Sequence, residues 1–226
     1  MPYKLFFTTD IHGSDRCFRK FINSAKFYGA EVLVLGGDMT GKAVVPVVHE
    51  AGNRYTADLG GRPRQVEADD LEALIKEIKF NGLYPYRTTP DELQAIQNDP
   101  EGSKKLFRDS IRSSLEEWFA LAEERLKPQG VKVYISPGND DDFIVDEVLD
   151  ASGFIQNPEE KVLEISPGVW MLSLGYSNPT PWNSPRELPE DQLKERLTRL
   201  ADKMPSYVIS IYNVHVPPKD TPIDQA

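Results

Sequence analysis

Four segments of the sequence carry potential metal ligands directly after apolar runs. Asp10 and His12 follow the first run, Asp38 the second, Asn139 a later one and His215 the last. In an extended chain, residues i and i+2 point to the same side, so Asp10 and His12 project together beyond the strand end. Taken alone, this three-residue pattern has a simpler interpretation, in which Asp10 caps the next helix and His12 is an ordinary loop histidine. Four strand ends with the same property favour a metal site instead.

The donor types indicate which cations such a site would hold. In open α/β sheets, ligands bind outside the carboxyl ends of the strands, where these side chains can converge. A mixture of carboxylate, imidazole and amide oxygen favours Mn, Fe, Zn or Co over a purely oxygen-seeking ion. Asp38 is the natural candidate to bridge two cations. Two cations roughly 3.5–4 Å apart clamp a phosphoryl group and hold a hydroxide in line for attack.

The order of these motifs, D-x-H, G-D, G-N-D and a later histidine, resembles the calcineurin-like metallophosphoesterase superfamily across residues 1–226. The most similar sub-group contains uncharacterised archaeal and bacterial phosphoesterases with a G-Y-S-N-P-T-P-W…P-R-E stretch and an N-x-H-x-P-P ending. The resemblance implies a four-layer α/β/β/α sandwich within the α/β class. It also implies that Asp10 and His12 bind one metal, that Asn139 and His215 bind the other, and that Asp38 bridges them. The implied activity is hydrolysis of a phosphomonoester or phosphodiester by a metal-bound hydroxide.

Three further residues are candidates for catalysis or for substrate binding. Many superfamily members carry histidine after the asparagine, whereas Asp140 stands there in this chain. A carboxylic acid donates a proton only where its pKa is raised, and metal cations lower it. Asp140 is a candidate catalytic residue because of its position after Asn139, and helix capping is an equal alternative. Asn178 and Arg186 are predicted to contact substrate oxygens, with loop architecture as the alternative for both.

The chain also differs from the superfamily in its number of histidines. The superfamily closes its site with G-H-x-H, but this chain has only three histidines, His12, His49 and His215. We therefore expect the 226 residues to be the N-terminal portion of a longer protein, with the last part of the fold missing. Such a fragment would bind metal weakly and turn over poorly. The alternative is a metal-binding scaffold or regulatory protein with the same fold and little or no turnover.

The apolar pattern predicts the elements that position these residues. Tyr3–Phe7, a helix at 14–28 and a second strand at 31–35 form a βαβ unit, for which a parallel pair is expected. The segment of about 43–128 is predicted to be an α+β insertion in a single domain, and it could serve as a cap over the site. It contains short strands at 44–49, 54–58 and 64–67, a helix ended by Asn81-Gly82, an aromatic connector at Tyr84-Pro85-Tyr86, a short helix opened by Pro90, and a long helix at about 103–126. Further strands are predicted at 131–135, 155–165, 169–174 and 207–212, with a short helix at 143–149, an irregular stretch at 175–186 and a helix through Leu193, Leu197 and Leu200.

Three local patterns have competing interpretations. Gly36 to Lys42 matches part of a phosphate-binding loop, but Ala43 and a β-like run follow it, so we reject that interpretation. Asp141 and Asp142 are expected to cap the helix after them. Cys17 is expected to be a small core residue and not a nucleophile.

Composition narrows the partners and the compartment. A formal charge of −10 over 226 residues argues against nonspecific binding to nucleic acid or to anionic membranes. A small phosphorylated substrate stays possible where cations reverse the local potential. The single cysteine cannot form an internal disulfide, and no apolar run approaches the length of a membrane span. These features predict a cytoplasmic metal-dependent hydrolase of small phosphate esters.

Overall fold

The computed structural model describes residues 3–222, which form a mixed α/β structure with several sheets. These residues divide into two compact units, one of residues 3–10, 21–39 and 119–222 and one of residues 11–20 and 40–118. The strands are β1 (Leu5–Thr8), β2 (Val32–Leu35), β3 (Val44–His49), β4 (Arg54–Asp58), β5 (Pro63–Glu67), β6 (Tyr84–Thr88), β7 (Lys132–Ile135), β8 (Val162–Ser166), β9 (Val169–Leu174) and β10 (Ile209–Val214). The helices are α1 (Asp15–Tyr28), α2 (Leu71–Phe80), α3 (Pro90–Gln97), α4 (Pro100–Leu126), α5 (Ile144–Ala151) and α6 (Glu190–Ala201).

The first unit contains two three-stranded sheets. One has the order β1-β2-β7, and all its strands run parallel. The parallel pairing of β1 and β2 around α1 confirms the predicted βαβ unit. The other sheet has the order β10-β9-β8, with β10 parallel and β8 antiparallel to β9. All four residues of β2 are buried, as expected of a strand covered on both faces.

Alternation along the strands explains how the sheets of this unit pack. Val32 and Val34 of β2 share a hydrophobic cluster with Met171 of β9 and Ile165 of β8, so the two sheets face each other. On its other face, β9 packs Leu172 and Leu174 against α6, through a cluster that includes Leu193 and Leu200. The leucine spacing predicted for α6 therefore marks its buried face.

The second unit is built on a four-stranded sheet of order β5-β4-β3-β6. Strands β3, β4 and β5 confirm the predicted meander, and α2 packs Leu71, Leu74 and Ile78 against β3. The structure corrects the predicted connector at Tyr84-Pro85-Tyr86, which is strand β6 and pairs parallel with β3. Its proline obscured the strand pattern, but an edge strand tolerates a residue without an N–H group.

Other predictions needed smaller corrections. The predicted strand at 155–165 is confined to β8, which begins only at Val162. Cys17 is exposed, since it lies one helical position away from the buried stripe of α1, and the expectation of a core residue was wrong. The short helix opened by Pro90 is confirmed as α3, which has a capping box formed by Thr89 and Glu92.

The length and polarity of the helices bear on membrane insertion. Within residues 3–222, no helix combines the length and the apolar character that a membrane crossing requires.

Candidate metal centre

The loops that carry the first three predicted ligands share an uncommon backbone conformation. Asp10, His12 and Asp38 have φ angles of 56°, 42° and 50°, in the left-handed region. Residues other than glycine adopt this conformation at a cost of about 1 kcal/mol or more. Asp10 is held there by its N–H group, which donates to the Gly37 carbonyl over 3.0 Å. Such residues cluster at functional sites, because the surrounding structure must hold them in place.

The same three residues form a possible metal-binding group. Asp10, His12 and Asp38 each offer one ligand atom, and these atoms lie within 4.8 Å of one another. Two carboxylates and one imidazole are a donor set that suits a divalent transition metal. Within the second unit, the His12 carbonyl lies where a Cβ on Gly82 would be only 2.0 Å away, so this close approach requires glycine.

The remaining predicted ligands come together beside Asp38. The His215 ring follows β10, and its Nε2 lies 2.9 Å from Asn139 Oδ1 and 3.4 Å from Asp38 Oδ1. Its other nitrogen, Nδ1, lies 3.1 Å from the Gly36 carbonyl. Asn139 follows β7 in one sheet, whereas His215 comes from the other sheet. His215 Nε2 therefore lies between Asp38 and Asn139 in this chain of contacts.

Gly138 allows the turn before Asn139 to lie close against Asp38 and His215. A Cβ at Gly138 would lie 2.3 Å from Asp38 Oδ1 and 2.8 Å from His215 Cε1. Any residue with a Cβ would therefore collide with these two side chains. The donor types at this close approach fit a bound divalent cation.

The charge state of His215 reflects its acidic neighbours. Burial opposes protonation of the ring, but the hydrogen bond and charge of Asp38, with the Gly36 carbonyl and the charge of Asp10, outweigh it. The net effect raises the pKa of His215 from 6.5 to about 9. Without metal, the imidazolium therefore compensates the carboxylates, and a cation must displace this proton to bind the ring.

Metal-free protein is expected to lose stability as the pH rises through the His215 titration. Because the pKa of His215 is raised on folding, its stabilisation is complete below pH 6.5 and lost as the pH passes about 9. Urea unfolding in chelator should record a fall of about 3 kcal/mol at most between these limits. His215→Gln should remove the fall, and an unchanged slope in that variant would contradict the assignment.

The acidic run after Asn139 divides into three different roles. The Asp140 N–H donates to Asp38 Oδ1 over 3.0 Å, and its carboxylate accepts from Ser184 Oγ over 2.6 Å. The expectation for Asp141 was wrong, because this fully buried carboxylate accepts from the Gly138 and Met39 N–H groups and joins two ligand loops. Asp142 accepts from the Ile144 N–H at the start of α5, which confirms its capping role.

The structure corrects the prediction that Arg186 contacts substrate. Its side chain is 2% exposed and forms an ion pair of 2.7 Å with Asp146. Its Nε also donates to the Asp141 carbonyl over 2.9 Å. The guanidinium binds to groups of the protein itself, so Arg186 stabilises the loop, which was the alternative interpretation. Asn178 is exposed and lines a groove with α6, Val214 and residues 216–219, and its substrate role stays a prediction.

Glu159 is a further charged residue that the sequence pattern did not single out. Both of its carboxylate oxygens accept from the Gly175 N–H, at 3.0 and 2.9 Å, at the start of the irregular 175–186 stretch. Burial raises the pKa of Glu159 from 4.5 to about 7, although the Gly175 hydrogen bond and the charge of Arg186 act in the other direction. Above neutral pH, this anchor therefore carries a buried charge.

Glu159→Gln is expected to stabilise the protein at pH 8 and to leave its stability at pH 5 nearly unchanged. The raised pKa means that the stabilisation from protonated Glu159 is present below pH 4.5 and is lost as the pH passes about 7. Glutamine keeps an acceptor for the Gly175 N–H without the charge, so the gain at pH 8 should reach about 2 kcal/mol. Chemical unfolding at both pH values measures it. A gain at pH 5 equal to that at pH 8 would contradict the titration of Glu159.

No family model matches the chain, and no curated protein matches it. One solved structure with a similar fold is 14% identical in sequence and has a TM-score of 0.50. The match covers 96% of this chain and 70% of the other chain. The likeness extends to the fold alone. Another, TT1561 of Thermus thermophilus, has 13% identity and a TM-score of 0.49, and covers 98% of this chain and 71% of its own.

Proposed function

We propose that this protein is a phosphoesterase that uses two divalent metal ions to hydrolyse a small phosphomonoester or phosphodiester. The observation that carries the proposal is the convergence of Asp10, His12 and Asp38 within 4.8 Å. Asn139 and His215 adjoin the same Asp38 carboxylate through His215 Nε2. The proposed fold is the four-layer α/β/β/α sandwich of the resembling superfamily. The packing of β2 against β9 and of β9 against α6 supports three of its layers.

The proposed division of ligands follows the geometry around Asp38. Asp10 and His12 would hold one cation, Asn139 and His215 the other, and Asp38 would contribute to both. When bound, the cations supply Lewis acidity toward the phosphoryl oxygens and lower the pKa of the attacking water. They also supply the positive charge that an anionic ester needs in a chain of net charge −10.

The chain's own groups set the conditions for this chemistry. His215 must give up its proton before Nε2 can bind a cation, because the raised pKa keeps the metal-free ring charged. Gly138 allows its backbone to lie close against Asp38 Oδ1. Asp140 lies beside Asp38, to whose Oδ1 its N–H donates, and we assign to its carboxylate the acceptance of the attacking water's proton and its delivery to the leaving ester oxygen.

The proposal is tested with nitrophenyl phosphate and bis-nitrophenyl phosphate at increasing Mn²⁺ concentration. Hydrolysis that depends on Mn²⁺ and is lost in His215→Gln supports it, and the preferred ester distinguishes monoesterase from diesterase activity. Stoichiometric Mn²⁺ binding without hydrolysis of either ester would favour the metal-binding scaffold, which the small number of histidines also suggests. A cytoplasmic location belongs to the same proposal, and the single free cysteine supports it.

A further inference from the structure

Residues 184–186 make one hydrogen bond to each residue of the turn at 139–141. Ser184 Oγ donates to Asp140 Oδ1 over 2.6 Å, although the two residues are 44 positions apart in the sequence. The Arg186 N–H donates to the Asn139 carbonyl over 3.1 Å. Arg186 Nε donates to the Asp141 carbonyl over 2.9 Å. The irregular stretch therefore holds the turn that carries the predicted ligand Asn139.

The stretch that supplies these bonds is itself held by hydrogen bonds. The Glu187 carboxylate accepts from the Ser184 N–H over 2.9 Å and from the Thr180 N–H over 3.0 Å. The hydrogen bond from the Thr180 hydroxyl, together with these N–H groups, holds the pKa of Glu187 below its ordinary value. Ser177 pairs with the same stretch, because its N–H donates to the Arg186 carbonyl over 3.0 Å. These hydrogen bonds therefore hold the backbone that carries the Ser184 hydroxyl in place.

Asp140 is held at two points, its backbone N–H and its carboxylate. Its N–H bonds to the ligand Asp38, whereas its carboxylate bonds to Ser184. Among the described residues, the converging group of ligand atoms comes from Asp10, His12 and Asp38 and does not include this carboxylate. A divalent cation held by these ligands would accept a further carboxylate oxygen. The hydrogen bond from Ser184 opposes rotation of the Asp140 carboxylate toward such a cation.

We propose that Ser184 is a positioning residue that keeps the Asp140 carboxylate out of the metal coordination and directed at the bound ester. The inference rests on the proposed phosphoesterase function. Without the hydroxyl, the carboxylate loses the hydrogen bond that opposes its rotation toward the cations. Metal binding then becomes tighter while turnover becomes slower. A residue with a purely structural role would weaken both properties together.

The first test compares Ser184→Ala with Ser184→Thr. Ser184→Ala is expected to lower kcat for nitrophenyl phosphate by about 100-fold, the size of effect that a misplaced group produces. KM should change little. Mn²⁺ should bind more tightly because it gains a carboxylate ligand, by about tenfold, the size of change in affinity that outer-sphere partners produce. Ser184→Thr keeps the hydroxyl and should restore both values. Ser206→Ala removes the hydroxyl of an exposed serine in the same unit and serves as the control.

The second test asks whether Ser184 acts through Asp140. If it does, Ser184→Ala combined with Asp140→Ala should match Asp140→Ala alone in kcat and in Mn²⁺ affinity. Additive losses in the double variant would overturn the inference, as would weaker Mn²⁺ binding in Ser184→Ala.

The Mn²⁺ measurement separates this inference from the proposed function. A wild-type chain that binds Mn²⁺ but hydrolyses neither ester contradicts the phosphoesterase proposal. Tighter binding in Ser184→Ala that requires Asp140 would still support the positioning role of Ser184. Equal affinity in wild type and Ser184→Ala, or no Mn²⁺ binding by the wild-type chain, would overturn it.

Discussion

Replacing Asp38 with asparagine is expected to lower kcat for Mn²⁺-dependent ester hydrolysis by about 1,000-fold, equivalent to about 4 kcal/mol. Asp38 is 4% exposed and belongs to the converging ligand group. Its Oδ1 also accepts from the Asp140 N–H over 3.0 Å and lies 3.4 Å from His215 Nε2. Asparagine keeps the shape of the side chain but removes the negative charge that cations require. No other single substitution in the site should reduce turnover as much.

The metal content of Asp38→Asn and the pKa of its His215 show whether the missing negative charge causes the lower turnover. Asp38→Asn should bind fewer Mn²⁺ ions per chain, whereas Asp202→Asn, at an exposed position in the same unit, should match wild type. Asp38 is also the first cause that raises the pKa of His215, so NMR in chelator should find that pKa lowered in Asp38→Asn. Turnover above a tenth of wild type with full metal content would exclude a bridging role for Asp38.

Arg186→Ala is expected to produce the largest loss of stability, about 3–5 kcal/mol in the free energy of unfolding. The guanidinium is buried and donates to the Asp146 carboxylate and to the Asp141 carbonyl. It also lies 4.5 Å from the centre of the Phe143 ring. Alanine would leave a carboxylate and a buried carbonyl without these donors and would open a cavity beside the ring.

The control for Arg186 is an exposed arginine in the same unit. Arg199 is 54% exposed in its ion pair with Glu160, so Arg199→Ala should cost no more than about 1 kcal/mol. Arg186→Lys should recover only part of the loss, because an ammonium group cannot reproduce the planar fork of hydrogen bonds. Urea unfolding of the three variants measures these differences. Equal losses in Arg186→Ala and Arg199→Ala would contradict the structural role of Arg186.

The parts of the fold that could be predicted are those specified by short-range pattern. The continuous apolar run of β2 predicted a strand buried on both faces, and the spacing of Leu193, Leu197 and Leu200 predicted α6. Strand β6 could not be predicted in this way, because its pairing with β3 depends on partners about forty residues away in sequence. The assignment of β10 to a different sheet from β1 is likewise a long-range property.

The candidate site shows the same division between local and long-range information. Asp10, His12 and Asp38 could be selected because ligand types follow strands at short spacing, and the structure brings them together. Arg186 and Asp141 have the residue types of binding sites, yet both are buried and bond to the protein itself. Ser184 had no distinguishing type or spacing, and only its contact with Asp140 reveals it. Burial and tertiary contact decide these roles, and neither follows from local sequence.

The left-handed backbone at Asp10, His12 and Asp38 sets folding and metal binding against each other. Glycine would suit each of these φ angles better than the residue that is present, by about 1 kcal/mol at each position. A laboratory evolution experiment that rewards heat resistance alone would therefore favour glycine at 12, whereas Asp38 and Asp10 also stabilise protonated His215. Its winners would retain the sheets and lose the metal centre. Laboratory evolution of a more heat-resistant variant therefore requires selection for metal binding in every round.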